Sequence, residues 1–239
     1  MHQWTALQAV VTLLKGTIMF KSKLRPIAIP QFEHEKLVGT LALLWGNAAF
    51  DLPPVSFESY LTGIALHDRA YGHLDNLPIG EASESDWLAN TRKGFDMAWR
   101  DPLADAIAKM HLQRLASYGT SPERKAEAAA MAEEVAALAE QQGLDRVLLA
   151  RIDRITRLCD DISFAFCFEA PAQGSVPIYP HYDADEEVEI SYQVDDGKIR
   201  VSPWPFAVDS HRGYLVGYRL EGYPEVLEPV MVTYELVKS

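Results

Sequence analysis

The sequence predicts a mainly α protein, α+β overall, in which a helical bundle is followed by a small C-terminal antiparallel β appendage. Three observations predict it. From about Gln31 to Phe168 apolar residues recur at helical spacing, interrupted only by short breaks rich in Pro, Gly and Asp. After EAPAQGSVPIYP (169–180) the period changes to strict alternation, as in VEISYQV (188–194), where Val188, Ile190, Tyr192 and Val194 alternate with polar residues. The linker between the two parts is short, so they are expected to pack together rather than hang as tethered units.

The breaks DLPP (51–54), NLPIGEASES (76–85), RDP (100–102), YGTSPE (118–123) and Gly143 divide the body into about six helices. Pro102 behind Asp101 and Pro122 behind Ser121 read as N1 prolines following N-caps, because proline lacks an N–H that a helix's first turn cannot use anyway. The tract AEAAAMAEEVAALAEQQ (126–142) holds the best helix formers and reads as a structural helix with a solvated acidic face. In the β part, DDG (195–197) turns VEISYQV into KIRVS as a hairpin, and YLVGYRL and VMVTYELV supply two further strands. SPWPF (202–206) reads as an aromatic plug joining the β part to the helices. The expected divisions are an extension over 1–18, a helical body over 19–170 and the β-rich part over 171–239.

With 239 residues, 48% of them hydrophobic, the chain can bury a sizeable core. A formal charge of -12 opposes binding to bulk nucleic acid or an anionic membrane face, while a small anionic substrate stays possible beside a metal or a local arginine. Homo-oligomerisation is left open. Cys159 and Cys167 lie on one predicted helix, about 12 Å apart at the helical rise, too far for a disulfide, which points to a reducing, cytoplasmic location. The opening MHQWTALQAVVTLLKGTIMF lacks a basic n-region and is broken by Gln8, Thr12 and Lys15, so it reads as neither signal peptide nor membrane span. Met19 offers an alternative start, which would make residues 1–18 dispensable. No G-x-S-x-G, G-x-G-x-x-G, Walker loop or C-x-x-C occurs, which disfavours serine hydrolysis and standard nucleotide-binding fingerprints.

The chemistry concentrates on inward helix faces. In LTGIALHDRAYGHLD (61–75), His67 and Asp68 continue the face made apolar by Tyr60, Leu61 and Ile64. His34 heads a stripe of Leu37, Val38, Leu41, Leu44 and Trp45; His111 borders Leu103, Ile107 and Met110; Asp160 follows Ile152 and Thr156. A single core histidine is usually a hydrogen-bonded structural residue. Five such groups aimed inward from four helices are another matter, because burying them unpaired costs several kcal/mol each and a divalent cation would compensate all of them together. Mixed imidazole and carboxylate ligands suit Fe, Mn, Zn or Ni.

The order His34, then adjacent His67 and Asp68, then a late-helix Asp160 is similar to the H…HD…D pattern of the HD-domain superfamily of metal-dependent phosphohydrolases. His111, between HD and the final Asp, resembles the extra histidine of members that hold two metals. More narrowly, HDRAYGHLDNLP, KMHLQRL, LCDDISFAFC and VSPWPF resemble an uncharacterised bacterial family of unknown function, DUF3891, from about Met19 to the C-terminus. The resemblance implies an HD-like helical core and one or two divalent metals on His34, His67, Asp68, His111 and Asp160. Asp160 is favoured by the fit of LCDDIS to the family's segment, with Asp153 as alternative last ligand and Asp161 on the same helix. It further implies hydrolysis of a small phosphoester by metal-bound hydroxide, Asp68 being the catalytic carboxylate that bridges if two ions are present. A diiron oxygenase and a non-catalytic metal-stabilised binding or sensory module are the alternatives. After HD this chain has Arg69, Ala70 and Tyr71 where related sequences tend to have Asp-Gly-Trp. Arg69 and Arg114 are candidate contacts for an anionic substrate or counter-ions for the many acids. His73 is a substitute for His111, and Asp75 either orients a ligand histidine or caps a turn before Pro78. His181 and His211, in the β part, are not expected to act.

Overall fold

Helix boundaries follow the capping chemistry. In the computed structural model, which describes residues 20–71, 83–169 and 171–239, six helices are present among the described residues. They are α1 (Gln31–Leu44), α2 (Phe57–Ala65), α3 (Glu84–Asp96), α4 (Pro102–Ser117), α5 (Pro122–Gln142) and α6 (Arg146–Phe168). Asp101 caps the Leu103 and Ala104 amides of α4, Ser121 caps the Arg124 amide of α5, and both helices carry proline in their first turn, as the sequence predicts. Gly143 stops α5 in the left-handed conformation at φ 64, and Asp145 at once caps α6 through the Val147 and Leu148 amides.

The strands are β1 (Phe20–Lys21), β2 (Ile27–Ile29), β3 (Gln173–Ile178), β4 (Val188–Asp195), β5 (Lys198–Ser202), β6 (Ser210–Arg219) and β7 (Pro229–Lys238). They form one seven-stranded sheet in the order β1-β2-β6-β7-β5-β4-β3. The β4–β5 hairpin turns at Asp196 and Gly197, φ 45 and 74, which is the positive-φ pair that a tight hairpin needs. All neighbours are antiparallel except β5 and β7, which run parallel from Lys198↔Glu235 to Val201↔Lys238.

This corrects the expected fold class. The protein is an α+β fold with a substantial mixed sheet, not a mainly helical bundle with a small antiparallel C-terminal appendage. The sheet begins before the first helix, since β2 pairs with β6 through Ile27↔Arg219 and Ala28↔Tyr218. The reasons are physical. β1 and β2 are two and three residues long, too short to show a period of two. β3 contains Gly174 and Pro177, tolerable because it lies at the sheet's edge. A parallel β5–β7 pair leaves no turn signature, because no tight turn makes it.

Helices and sheet share one apolar core, in which Leu37, Leu41, Ile64, Ile107, Ile152 and Phe166 cluster with Val176, Ile190, Ile199, Val201, Leu215 and Leu236. The SPWPF segment acts as the expected plug. Phe206 meets Trp45 edge-on at 6.2 Å, and the Asn47 side-chain amide donates to the Trp204 and Phe206 carbonyls. A smaller cluster of Phe95, Leu112, Ala116 and Met131 holds α3 and α5 on α4. No helix among the described residues is long and apolar enough to cross a membrane.

Helices α2 and α4 approach closely at Gly63, four residues before His67. A Cβ at Gly63 of α2 would sit 2.7 Å from Ile107 Cβ and 2.9 Å from the Ala104 carbonyl oxygen of α4. Gly63→Ala should therefore force α2 off α4 and cost about 1–3 kcal/mol. Denaturant unfolding checks this, and an unchanged midpoint would contradict such close packing.

Candidate metal centre

Four elements bring the site together. His34 projects from the first turns of α1, His67 and Asp68 follow the end of α2, His111 lies in α4, and Asp160 lies two-thirds along α6. At i+3 and i+4 from Ile64, His67 and Asp68 continue the buried face of α2, and the chain holds them there in turns rather than in regular helix. α2 ends at Ala65, and residues 66–70 form tight turns in which the Arg69 amide donates to Leu66 O and the Tyr71 amide to Asp68 O. Arg69 pins that turn. Its side chain is 5% exposed, bonds the Gly94 carbonyl at 2.9 Å and pairs with Asp105 at 2.8 Å, which also holds Lys109. Arg69 is thus committed to a structural ion pair rather than aimed at the cluster.

His34, His67, Asp68 and Asp160 each offer one ligand atom, all within 4.8 Å of one another, and could hold a metal ion. His34 Nε2 lies 3.2 Å from His67 Nε2, 3.6 Å from Asp68 Oδ2 and 3.3 Å from Asp160 Oδ1. His67 Nε2 lies 3.5 Å from Asp68 Oδ2 and 3.7 Å from Asp160 Oδ1. Donor atoms bonded at zinc-like lengths around one ion would be spaced about 3.3 Å apart on a tetrahedron. The five contacts of 3.2–3.7 Å are near that spacing, so the four atoms could share an ion. His67 Nδ1 donates to the Ile64 carbonyl at 2.9 Å, which leaves its Nε2 lone pair for the cluster in the neutral ring. Ser163 Oγ, one turn beyond Asp160, donates to the His34 carbonyl at 3.0 Å and ties α6 to α1.

Asp68 is the most heavily engaged member. Its Oδ2 accepts from Gln31 Nε2 at 2.6 Å, and its Oδ1 lies 2.9 Å from His111 Nε2. Arg114 reaches His111 Nδ1 at 2.8 Å and both Asp153 oxygens at 3.3 and 3.1 Å. Of the predicted site residues, His34, His67, Asp68 and Asp160 therefore converge. His111 and Arg114 stand immediately behind Asp68, and Asp153 is bound to Arg114 rather than to the cluster. His73 and Asp75 lie outside the described residues. His181 pairs with Asp51 at 3.2 Å, and His211 packs on Tyr234, both away from the cluster. Gln31 escaped the sequence reading. Its signal was position, one turn before His34 on the same face of α1.

The electrostatics are those of a cation site. Burial pushes the Asp68 and Asp160 carboxyls up. The charge on His67 and the hydrogen bond from His111 outweigh it for Asp68, hydrogen bonds from His34 and His67 outweigh it for Asp160, and both carboxyls end below the ordinary range, Asp160 well below. Burial lowers His67, yet Asp68 and Asp160 win and push it up to about 9. Burial, with the charges on His67 and Arg114, keeps His111 below its ordinary value. In the metal-free protein a proton on His67 thus takes the place of a cation between two carboxylates.

The family model described as Protein of unknown function (DUF3891) matches residues 18–218, and the chain belongs to that family. Searches of curated proteins and of solved structures gave no match.

Proposed function

We propose that this DUF3891 member is a metal-dependent hydrolase of a small phosphoester, with an HD-type site in which His34, His67, Asp68 and Asp160 hold the ion. The observation that carries the reading is the convergence of two imidazole nitrogens and two carboxylates within 4.8 Å at the meeting of α1, α2 and α6. The N,O donor set suits Fe, Mn, Zn or Ni. A divalent ion held there would polarise a phosphoryl oxygen and bring the pKa of water from 15.7 to about 7. The chain's own residues supply position and access. The His34 and His67 side chains are sealed at 0% exposure, whereas those of Asp68 and Asp160 keep 9% and 12%, so a substrate would approach along the carboxylate side. Gln31 and His111 fix the Asp68 carboxylate in the plane that faces the cluster.

The test loads the full chain with Mn, Zn, Ni or Fe and measures phosphate release from a broad panel of small phosphoesters alongside oxygen consumption. Phosphate release that disappears on chelation supports the reading. Iron-specific oxygen uptake would replace it with the oxygenase, and neither activity in fully metallated protein would favour a binding or sensory module.

Metal affinity should also depend on pH in a stated direction. His67 keeps its proton until about pH 9, and binding must displace it, so apparent affinity should rise up to about tenfold per pH unit below that value and then level off. Calorimetric titration from about pH 6 to about pH 10 checks this; a flat profile would mean that His67 is not a ligand.

A further inference from the structure

From the hydrogen bonds behind Asp68 we infer that His111 is not a ligand for a second ion but a positioning residue, locked as the Nε2–H tautomer, and that the site holds one metal. The inference rests on the metal-site reading above and fixes its stoichiometry. A guanidinium has five N–H donors and no acceptor, so the 2.8 Å contact from Arg114 Nη2 requires a lone pair on His111 Nδ1. The ring's one proton is then on Nε2, which donates it to Asp68 Oδ1 at 2.9 Å. Both ring nitrogens are used. To bind an ion, His111 would have to surrender either the arginine or the carboxylate.

The elements around the ring hold it in this state. The His111 side chain is 0% exposed and lies edge-on to His67 with ring centroids 4.5 Å apart; Asp160 Oδ2, 3.7 Å from Nδ1, stands beyond hydrogen-bond distance and leaves Arg114 as the hydrogen-bond partner of that nitrogen. Arg114 is held in turn by both oxygens of Asp153 on α6 and by Tyr118 at 3.4 Å. Asp153, Arg114, His111 and Asp68 therefore form one chain of donors and acceptors from α6 through α4 to the centre. It engages Oδ1 of Asp68 with an N–H, while Oδ2, which accepts from Gln31 Nε2 at 2.6 Å, is the oxygen nearest His34 and His67. A second ion at Oδ1 would have to compete with the N–H of His111 for that oxygen.

The test measures Zn2+ stoichiometry and affinity for the wild-type chain, His111→Gln and His111→Ala, with melting curves to confirm folding. Glutamine places an amide N–H near the position of imidazole Nε2 but offers no ring nitrogen to a metal. We expect one equivalent in the wild type, one in His111→Gln with affinity within about threefold, and affinity about 10–100-fold weaker in His111→Ala. Long-range 1H–15N spectra should show the Nε2–H tautomer of His111 with and without Zn2+, and Arg114→Met should release it. Two equivalents in the wild type falling to one in both variants would overturn the inference alone, as would unchanged affinity in His111→Ala. If the alanine variant does not fold, the glutamine variant decides, since loss of an equivalent there marks a ligand. A wild type that binds no Zn2+ would overturn the metal reading itself and this inference with it.

Discussion

Asp68→Ala is expected to lower metal affinity by more than about 100-fold and, on the proposed function, to remove phosphoester hydrolysis with it. The substitution removes one ligand oxygen together with the acceptor of both Gln31 and His111, so it disturbs more than one coordination position. Elemental analysis of the purified variant reads the outcome directly. His67→Ala should do the same without stranding Gln31 and His111, but in the metal-free state it removes the proton held between the Asp68 and Asp160 carboxylates. Metal retained at wild-type stoichiometry in both variants would refute the four-ligand centre. Asp153→Ala serves as the contrast: it breaks the ion pair with Arg114 and should weaken binding without abolishing it.

The second large effect concerns the join between sheet and helices. Phe206 is 2% exposed and packs against Trp45, at the end of α1, and Trp204. Phe206→Ala should cost about 3–5 kcal/mol through lost burial and the cavity left behind. For a chain of this size that corresponds to a melting temperature lower by about 6–20 °C. Because the residues of the two layers lie in one core, helical and β signals should melt together in wild type and variant. A β-specific transition that moved alone would mean that the sheet folds as a separate unit.

The features legible in the sequence were those written in local chemistry. N-caps at Asp101 and Ser121, the stop at Gly143 and the turn at Asp196–Gly197 depend on a few adjacent residues, and each appears where its chemistry demands. The inward aim of His34, His67, Asp68 and Asp160 was legible for a related reason, since a polar group continuing an apolar stripe must be compensated somewhere. The sheet was underestimated because its decisive contacts, β2 with β6 and β5 with β7, join segments far apart in the chain and leave no local period. Asp153 and Asp160 lie seven residues apart, two helical turns, so spacing alone could not separate them. What separates them is the partner each meets on another helix, Arg114 for one and the histidines for the other. The state of His111 was hidden likewise, because a ring's tautomer is set by its neighbours in space.

The early position of β2 also governs the order in which the protein can become functional. His34 follows β2 by only five residues, and the start of α1 is anchored by Glu33, whose carboxylate accepts the Val216 amide of β6 at 2.9 Å. A growing chain therefore contains its first candidate ligand long before residues 216–219, which hold β2 and the start of α1, have been synthesised. Asp160 arrives between these two events, when α1 can be held by α6 through Ser163 but not yet by β6. A chain ending before β6 would carry all four candidate ligands without the strand that holds the start of α1, and is expected to bind metal more weakly than the full chain.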